Sequence, residues 1–141
     1  DYNTYTTTTR MPVLSPNIPR SEFACKCVLA TCKGVEIQRS IVDALQQLRD
    51  ALGLRVSIIS GVRCKAHNKA IGGAPNSQHV LGIAADIHVE RITPEKLYAI
   101  VDAIPAFRSG GVGYGFGRFH VDTRGTRARW RYSPMGNTIP W

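Results

Sequence analysis

The sequence predicts an α+β domain, in which a small antiparallel sheet has helices packed on one side. Two segments have the apolar spacing of helices, and several short segments rich in β-branched residues indicate strands, with glycine and proline between them. The order of these elements favours an antiparallel sheet. The length of 141 residues, of which 43% are hydrophobic, suits one domain with a hydrophobic core.

Residues 1–20 are rich in Thr, Pro and Asn, and we expect them to form an extended N-terminal segment before a domain at residues 21–141. No run of about 18 apolar residues is present, so no membrane-spanning helix is predicted. The formal net charge of +8 suits an anionic partner, such as nucleic acid, an anionic membrane or an anionic cell wall, and it also favours solubility. We expect a monomer, and the sequence leaves the cellular location open.

The most regular helical pattern covers residues 36–52 and stops at Gly53. Its apolar positions have the spacing of one helix face: Val35, Ile37, Ile41, Val42, Leu45, Leu48 and Leu52. The alternating residues 54–60 predict a strand that Gly61 ends. A short helix is expected over residues 65–71.

Residues 83–89 predict a second strand, on which Asp86 and His88 share a face. The next helix begins after Thr93, which can cap it, and ends at Pro105. The remaining elements are a glycine-rich strand or turn followed by two short strands, at 110–115, 119–123 and 129–132. The C-terminal end, rich in glycine and proline, is predicted to be coil.

His79 and Asp86 are the first candidates for a metal site. A carboxylate in an apolar run such as that around Asp86 is costly to bury unless it is paired or binds a metal. Imidazole and carboxylate are both normal zinc ligands, and a catalytic zinc takes three protein ligands and a water. His120, in a later predicted strand, is the best third ligand. The alternative is that the two histidines are unrelated polar residues.

Asp122 shares a strand face with His120. A carboxylate beside a zinc-bound water can take its proton and pass it to the leaving amine, so Asp122 is the leading candidate for the catalytic base. Asp122 could instead orient His120 from behind the metal. The sequence alone leaves both roles open.

Three motifs surround these residues: Ser60-Gly61-x-Arg63 with His67-Asn68, Ser77-x-His79-x-x-Gly82-x-Ala84-x-Asp86, and Phe119-His120-x-Asp122. Together they resemble the zinc D-Ala-D-Ala carboxypeptidase family, which is grouped with lysostaphin-type peptidases and the hedgehog signalling domain. The resemblance is strongest to the short branch found in phage endolysins and bacterial murein endopeptidases. It runs from about Ser21 to Trp130.

The resemblance implies a hedgehog-like fold and a zinc peptidase that cuts peptidoglycan peptides, either as an endopeptidase or as a D,D-carboxypeptidase at bonds involving D-amino acids. It implies that His79, Asp86 and His120 hold Zn²⁺, and that Arg63 binds substrate or the transition state. A guanidinium suits a carboxylate or a developing oxyanion. The bland alternative for Arg63 is a surface ion pair.

One position departs from the family pattern. Many members carry an acidic residue three positions before the last zinc histidine, where this chain has Gly117. This departure favours a second hypothesis, a non-catalytic zinc-stabilised module that binds the cell wall or builds a virion. A third hypothesis, nucleic-acid binding, rests only on the positive charge, and no recognised motif supports it, so no nucleic-acid partner is expected.

Four cysteines leave their chemical state open: Cys25, Cys27, Cys32 and Cys64. Two disulfides would imply an oxidising compartment. A four-thiolate structural zinc is a second possibility, although the spacing is not that of a standard zinc knuckle. Reduced, buried thiols are the third.

Overall fold

The computed structural model describes residues 4–5, 13–27, 36–74 and 76–141. The described helices are Arg20–Phe23 (α1), Arg39–Leu52 (α2), Lys65–Ala70 (α3), Pro94–Ala103 (α4) and Pro105–Arg108 (α5). The described strands are Thr4–Tyr5 (β1), Val13–Ser15 (β2), Ile18–Pro19 (β3), Ile37–Gln38 (β4), Ser57–Ser60 (β5), Ala84–His88 (β6), Gly111–Gly115 (β7), Arg118–Asp122 (β8), Ala128–Tyr132 (β9) and Thr138–Pro140 (β10). None of the described helices combines the length and hydropathy needed to cross a bilayer.

The main sheet has six strands in the order β10-β9-β7-β8-β6-β5. This agrees with the predicted α+β class, but the prediction of a small sheet was wrong. All neighbouring strands are antiparallel except β7 and β9, which pair in parallel. Part of the extra size comes from β10, which pairs with β9 in a region that the sequence predicted to be coil. Its three residues are exposed, so no alternation of buried and exposed residues marks it as a strand.

Helix α2 begins three residues later than its apolar spacing predicts. Ile37 is buried, but it lies in β4 and pairs with β1 instead of starting the helix. The buried face of the helix consists of Ile41, Val42, Ala44, Leu45 and Leu48. Gly53 ends the helix in the left-handed conformation, with φ of 64°, which glycine adopts without steric cost.

The hydrophobic core lies among α2, the helices beside it and the sheet. Helix α2 packs against α4 and α5, and α5 packs against β7 and β8. Phe23 and Phe107 are the largest fully buried side chains. Leu14 and Ile18 also belong to this core. The division of the chain into residues 1–20 and 21–141 remains a prediction.

The inner strands β6 and β8 position the candidate site. Their antiparallel register sets Asp86 opposite His120 and Ala84 opposite Asp122. Both strands have neighbours on each side, so their backbones are held by hydrogen bonds along both edges. The tight turn at Gly82, with φ of 75°, brings the chain from His79 into β6.

Candidate metal centre

Asp86 lies at the middle of a buried cluster with the two histidines that the sequence singled out. Its Oδ1 atom is 3.4 Å from His79 Nε2 and 3.2 Å from His120 Nδ1. One ligand atom from each residue lies within 4.8 Å of the other two, so the group could hold a metal ion. The three predicted metal ligands are therefore brought together, and all three are buried.

The His79 ring is oriented by the backbone. Its Nδ1 atom lies 2.6 Å from the carbonyl oxygen of Gly61. A carbonyl only accepts hydrogen bonds, so Nδ1 donates its hydrogen and Nε2 keeps a lone pair. Nε2 is buried without a hydrogen-bond partner among the described residues and faces Asp86. Burial lowers the pKa of His79, which favours the neutral imidazole that binds metals.

The His120 ring is oriented by a carboxylate. Its Nε2 atom lies 2.7 Å from Oδ2 of Asp122, so Nε2 carries the hydrogen and Nδ1 faces Asp86. Burial lowers the pKa of His120, but its hydrogen bonds to Asp122 and Asp86 outweigh burial and raise the pKa above its usual value. The raised pKa reflects how strongly the two carboxylates attract positive charge to this position.

Asp122 is completely buried, and its oxygens are fully engaged. Oδ1 accepts hydrogen bonds from the backbone of Gly111 and from the backbone and Nε of Arg124. Oδ2 accepts from Arg124 Nη2 and from His120. Burial raises the pKa of Asp122, but the bonds from His120 and Arg124 outweigh it and hold the pKa well below its usual value. These contacts favour the orienting role of Asp122 over the role of base.

Arg124 and Gly111 are contributors that sequence reasoning missed. Arg124 had no part in the site that the sequence predicted. Its guanidinium instead holds both oxygens of Asp122. A Cβ on Gly111 would meet this carboxylate and guanidinium, so glycine is needed for the close approach. Asp122 and Arg124 stand two residues apart at the end of a strand, a spacing that could have indicated their pairing.

Arg63 is buried beside the metal ligands, with 5% of its surface exposed. Its Nη2 atom lies 3.4 Å from Asp86 Oδ2, and Ser60 and Asn68 accept hydrogen bonds from its Nε and Nη1. The ion pair of Arg63 with Asp86 is thus buried, whereas the alternative interpretation of Arg63 was an ion pair on the surface. Burial lowers the pKa of Arg63 and Asp86 opposes this effect, and a guanidinium stays protonated in either case.

A second guanidinium reaches the same carboxylate oxygen. Arg118 Nη2 lies 3.6 Å from Asp86 Oδ2, and its side chain is 41% exposed. Burial raises the pKa of Asp86, but its interactions with His120 and His79 outweigh burial, so Asp86 is a carboxylate at neutral pH. Oδ1 therefore faces the histidines and Oδ2 faces the two arginines.

The cluster opens onto a cleft of about 490 Å³, a size typical of ligand sites. Arg63, Arg118 and Arg124 make its lining positively charged. Residues 72–74 and 76–78 form part of the lining, and so do Trp130, Tyr132 and the turn before β10. No Asp or Glu occurs among the described residues that line this cleft. The cleft is thus suited to a ligand that carries negative charge.

The fold and the cluster define a class of protein. Two histidines and a carboxylate, fixed on and beside the inner strands of a sheet, form a group that could hold one metal ion, as in metallohydrolases. A family model described as Peptidase M15 matches residues 16–122. The chain therefore belongs to the peptidase M15 family, which confirms the resemblance inferred from the three motifs.

Peptidases of this family depend on zinc, and His79, Asp86 and His120 form a group able to hold the ion. Membership also implies a peptide substrate. No protein in a search of curated proteins matches the chain.

Proposed function

We propose that this protein is a zinc peptidase that hydrolyses peptide bonds in the stems or cross-links of peptidoglycan, at bonds involving D-amino acids. The observation that carries the proposal is the convergence of His79 Nε2, Asp86 Oδ1 and His120 Nδ1 beside a cationic cleft. The family and the three motifs support the peptidase chemistry. The short-branch resemblance supports the choice of peptidoglycan.

The chain's own residues supply orientation and charge in the proposed reaction. Bound zinc would polarise the scissile carbonyl and lower the pKa of a water molecule. Arg63 lies in the cleft with its fork partly engaged by Asp86, so it can bind a substrate carboxylate or the negative charge that develops on the carbonyl oxygen. The more exposed Arg118 can help to bind an anionic part of the peptide.

Asp122 enters the proposal as a positioning residue. Its bond to His120 Nε2 fixes the tautomer that directs Nδ1 toward the metal, and Arg124 keeps the carboxylate ionised. The bond to Asp122 thus restrains the His120 ring and keeps its hydrogen on Nε2. Its loss would weaken zinc binding before it affected proton transfer.

A non-catalytic, zinc-stabilised cell-wall-binding or virion module is the second candidate. The cleft lining favours it, because no Asp or Glu occurs among the described residues there to take a proton from the attacking water. Gly117, at the position where many relatives have an acid, points the same way. The cationic cleft would then bind an anionic wall without cutting it.

Digestion of purified murein tests the two candidates. Wild type and His79→Ala are incubated with murein, and new amino groups and zinc per chain are measured for each. His88→Ala is the matched control, because His88 lies on β6 but is exposed. We expect wild type and the control to hold zinc at the His79–Asp86–His120 site and to release amino groups, and His79→Ala to lose the zinc of this site and the release of amino groups. Zinc-loaded wild type that binds several types of murein without releasing amino groups would overturn the peptidase proposal.

A further inference from the structure

A second cluster of metal-ligating groups lies outside the site described above. Cys25, Cys27 and Cys64 each offer a sulfur atom, and the three sulfurs lie within 4.8 Å of one another. All three residues are half-buried. The family match does not by itself assign a role to them.

The sulfur spacing distinguishes between two of the states that the sequence left open. The Sγ atoms of Cys27 and Cys64 are 3.7 Å apart. Disulfide sulfurs are bonded at about 2.05 Å. Thiolates that share a tetrahedral zinc at about 2.3 Å lie about 3.8 Å from each other, along an edge of the tetrahedron. The observed distance matches the shared-metal arrangement.

We propose that Cys25, Cys27 and Cys64 bind a second, structural zinc ion. Three thiolates form a soft donor set that suits zinc and disfavours hard cations such as magnesium or calcium. Cys32 lies outside the described residues, and the proposal rests on the other three sulfurs alone.

Backbone amides support two of the sulfurs. The N–H of Cys64 donates to Cys25 Sγ at 3.3 Å, and the N–H of His67 donates to Cys64 Sγ at 3.4 Å. Metal-bound ligands commonly receive such outer contacts, which fix their direction and stabilise their negative charge. The backbone thus positions these sulfurs as a set.

The second zinc would join two segments that flank the first metal centre. Cys25 and Cys27 follow Phe23, whose carbonyl accepts a hydrogen bond from the N–H of Val62 at 2.9 Å. Cys64 ends the loop that begins at Gly61. The cluster therefore fastens residues 23–27 to residues 61–64.

The loop of residues 61–64, which the cluster joins to residues 23–27, also contacts the metal ligand His79. The Gly61 carbonyl holds His79 Nδ1, and the N–H of Arg63 donates to the carbonyl of His79 at 3.1 Å. A Cβ on Gly61 would meet Phe23, so the two segments are packed without spare room. A structural zinc on the cysteines would thus hold His79 and Arg63 in place without touching substrate.

Metal counting on matched variants tests the proposal. Wild type, Cys64→Ser and His79→Ala are purified with reductant in the absence of oxygen, loaded with zinc and freed of excess metal. We expect two zinc ions per chain in wild type and one in each variant. Loaded with cobalt instead, wild type and His79→Ala should show a thiolate-to-cobalt charge-transfer band that Cys64→Ser lacks. Because His79→Ala removes a ligand of the His79–Asp86–His120 site and leaves the cysteines unchanged, the cobalt band separates loss of that site from loss of the cysteine site.

Thiol reactivity of wild type provides a measurement that needs no variant. With zinc bound, Cys25, Cys27 and Cys64 should resist a thiol reagent, and a strong chelator should expose them, as mapped by peptide mass. Either of two results would overturn the proposal: full reactivity of these cysteines in zinc-loaded protein, or a disulfide between Cys27 and Cys64 in protein purified without reductant. A single zinc per wild-type chain with no thiolate-to-cobalt band would do the same.

Discussion

At the scale of single residues, the metal site depends on which nitrogen of each histidine carries a hydrogen. The Gly61 carbonyl accepts a hydrogen bond from Nδ1 of His79, whereas the Asp122 carboxylate accepts one from Nε2 of His120. The other ring nitrogens, Nε2 of His79 and Nδ1 of His120, both face Asp86. Each histidine is thus prepared for a metal by an acceptor on its far side.

Asp122→Ala should weaken zinc binding by about 10- to 100-fold, because His120 loses the acceptor that fixes its ring and tautomer. Zinc affinity is measured by competition with a chromophoric chelator, with thermal unfolding recorded in parallel. Asp122→Asn keeps an oxygen acceptor and should recover part of the affinity. Unchanged zinc affinity together with loss of peptidase activity would instead make Asp122 the base.

Arg63→Lys should lower kcat/KM by about 100-fold while zinc stays bound, because an ammonium cannot reproduce the guanidinium fork. If Arg63 binds a substrate carboxylate, a peptide with an amidated C-terminus should be a poor substrate for wild type, and Arg63→Lys should make it little worse. Kinetics on the free and amidated peptides provide the four rates. Equal losses on both peptides would place Arg63 at the scissile carbonyl instead.

Residue-scale reasoning from the sequence predicted the three residues that the structure brings together, but not the contacts that support them. His79, Asp86 and His120 were found because a buried carboxylate needs a partner and because the motifs resemble a known family. The engagement of Asp122 depends in part on the close approach of Gly111, which is set by the pairing of β7 with β8. Such contacts between distant segments cannot be inferred from spacing along one chain.

At the scale of elements, the turn at Gly82 connects the two halves of the metal motif. Its φ of 75° is unfavourable for other residues, and a Cβ there would meet the carbonyl oxygen of Glu36. The carbonyl of Gly82 accepts a hydrogen bond from Gln38 at 2.9 Å. The turn is therefore constrained both by conformation and by contact.

Gly82→Ala should destabilise the fold by about 1 kcal/mol for the left-handed conformation and by more for the contact with Glu36. Gly53→Ala is the matched control, because Gly53 has a φ of 64° with nothing within 4 Å of the added Cβ. Urea unfolding measures both variants. Equal losses of stability would show that the contact at Gly82 contributes nothing.

Helix α4 is fastened to strand β9 by an ion cluster. Asp102 Oδ1 lies 2.7 Å from Arg129 Nη2 and 2.8 Å from Arg127 Nη1. Burial raises the pKa of Asp102, but the hydrogen bonds from Arg129 and Arg127 outweigh it and lower the pKa. A carboxyl whose pKa is lower in the folded state stabilises the fold above its unfolded pKa of about 4, and this contribution is lost as pH falls.

Asp102→Asn should therefore lower the stability at pH 7 by about 1 kcal/mol, a modest value because the carboxylate is partly exposed. The difference from wild type should shrink as pH falls from about 4 through the lowered pKa of the folded state, below which Asp102 is protonated in both states. Denaturant unfolding over a pH series measures it, with Asp43→Asn on an exposed position of α2 as the control. A difference that stays constant down to the most acidic pH would contradict this explanation.

Elements with a strong local signal were the most predictable. Helix α4 begins where expected, with Thr93 Oγ1 accepting from the N–H of Lys96 at 3.3 Å. Strand β10 was missed because its pairing with β9 is decided by the sheet and not by its own residues. Likewise, Ile37 fits the helical spacing of α2, but it forms part of strand β4 because it pairs with β1. Local pattern fails where a distant strand supplies the hydrogen bonds.

At the scale of the whole molecule, positive charge is placed beside the inner strands of the sheet. The formal net charge is +8, and three of the arginines line the cleft at the site: Arg63, Arg118 and Arg124. This cleft lies beside inner strands of a six-stranded sheet whose register sets Asp86 opposite His120. The sheet thus carries Asp86 and His120, and the loops beside it supply His79, Arg63 and Arg124.

The most direct test of this account is the location of zinc by anomalous diffraction from crystals of the zinc-loaded protein. We predict a peak at about 2.0–2.2 Å from His79 Nε2, an oxygen of Asp86 and His120 Nδ1, with His120 Nε2 still bonded to Asp122. Zinc bound through His120 Nε2, or the absence of a peak at these three residues, would contradict the assignment of the metal centre.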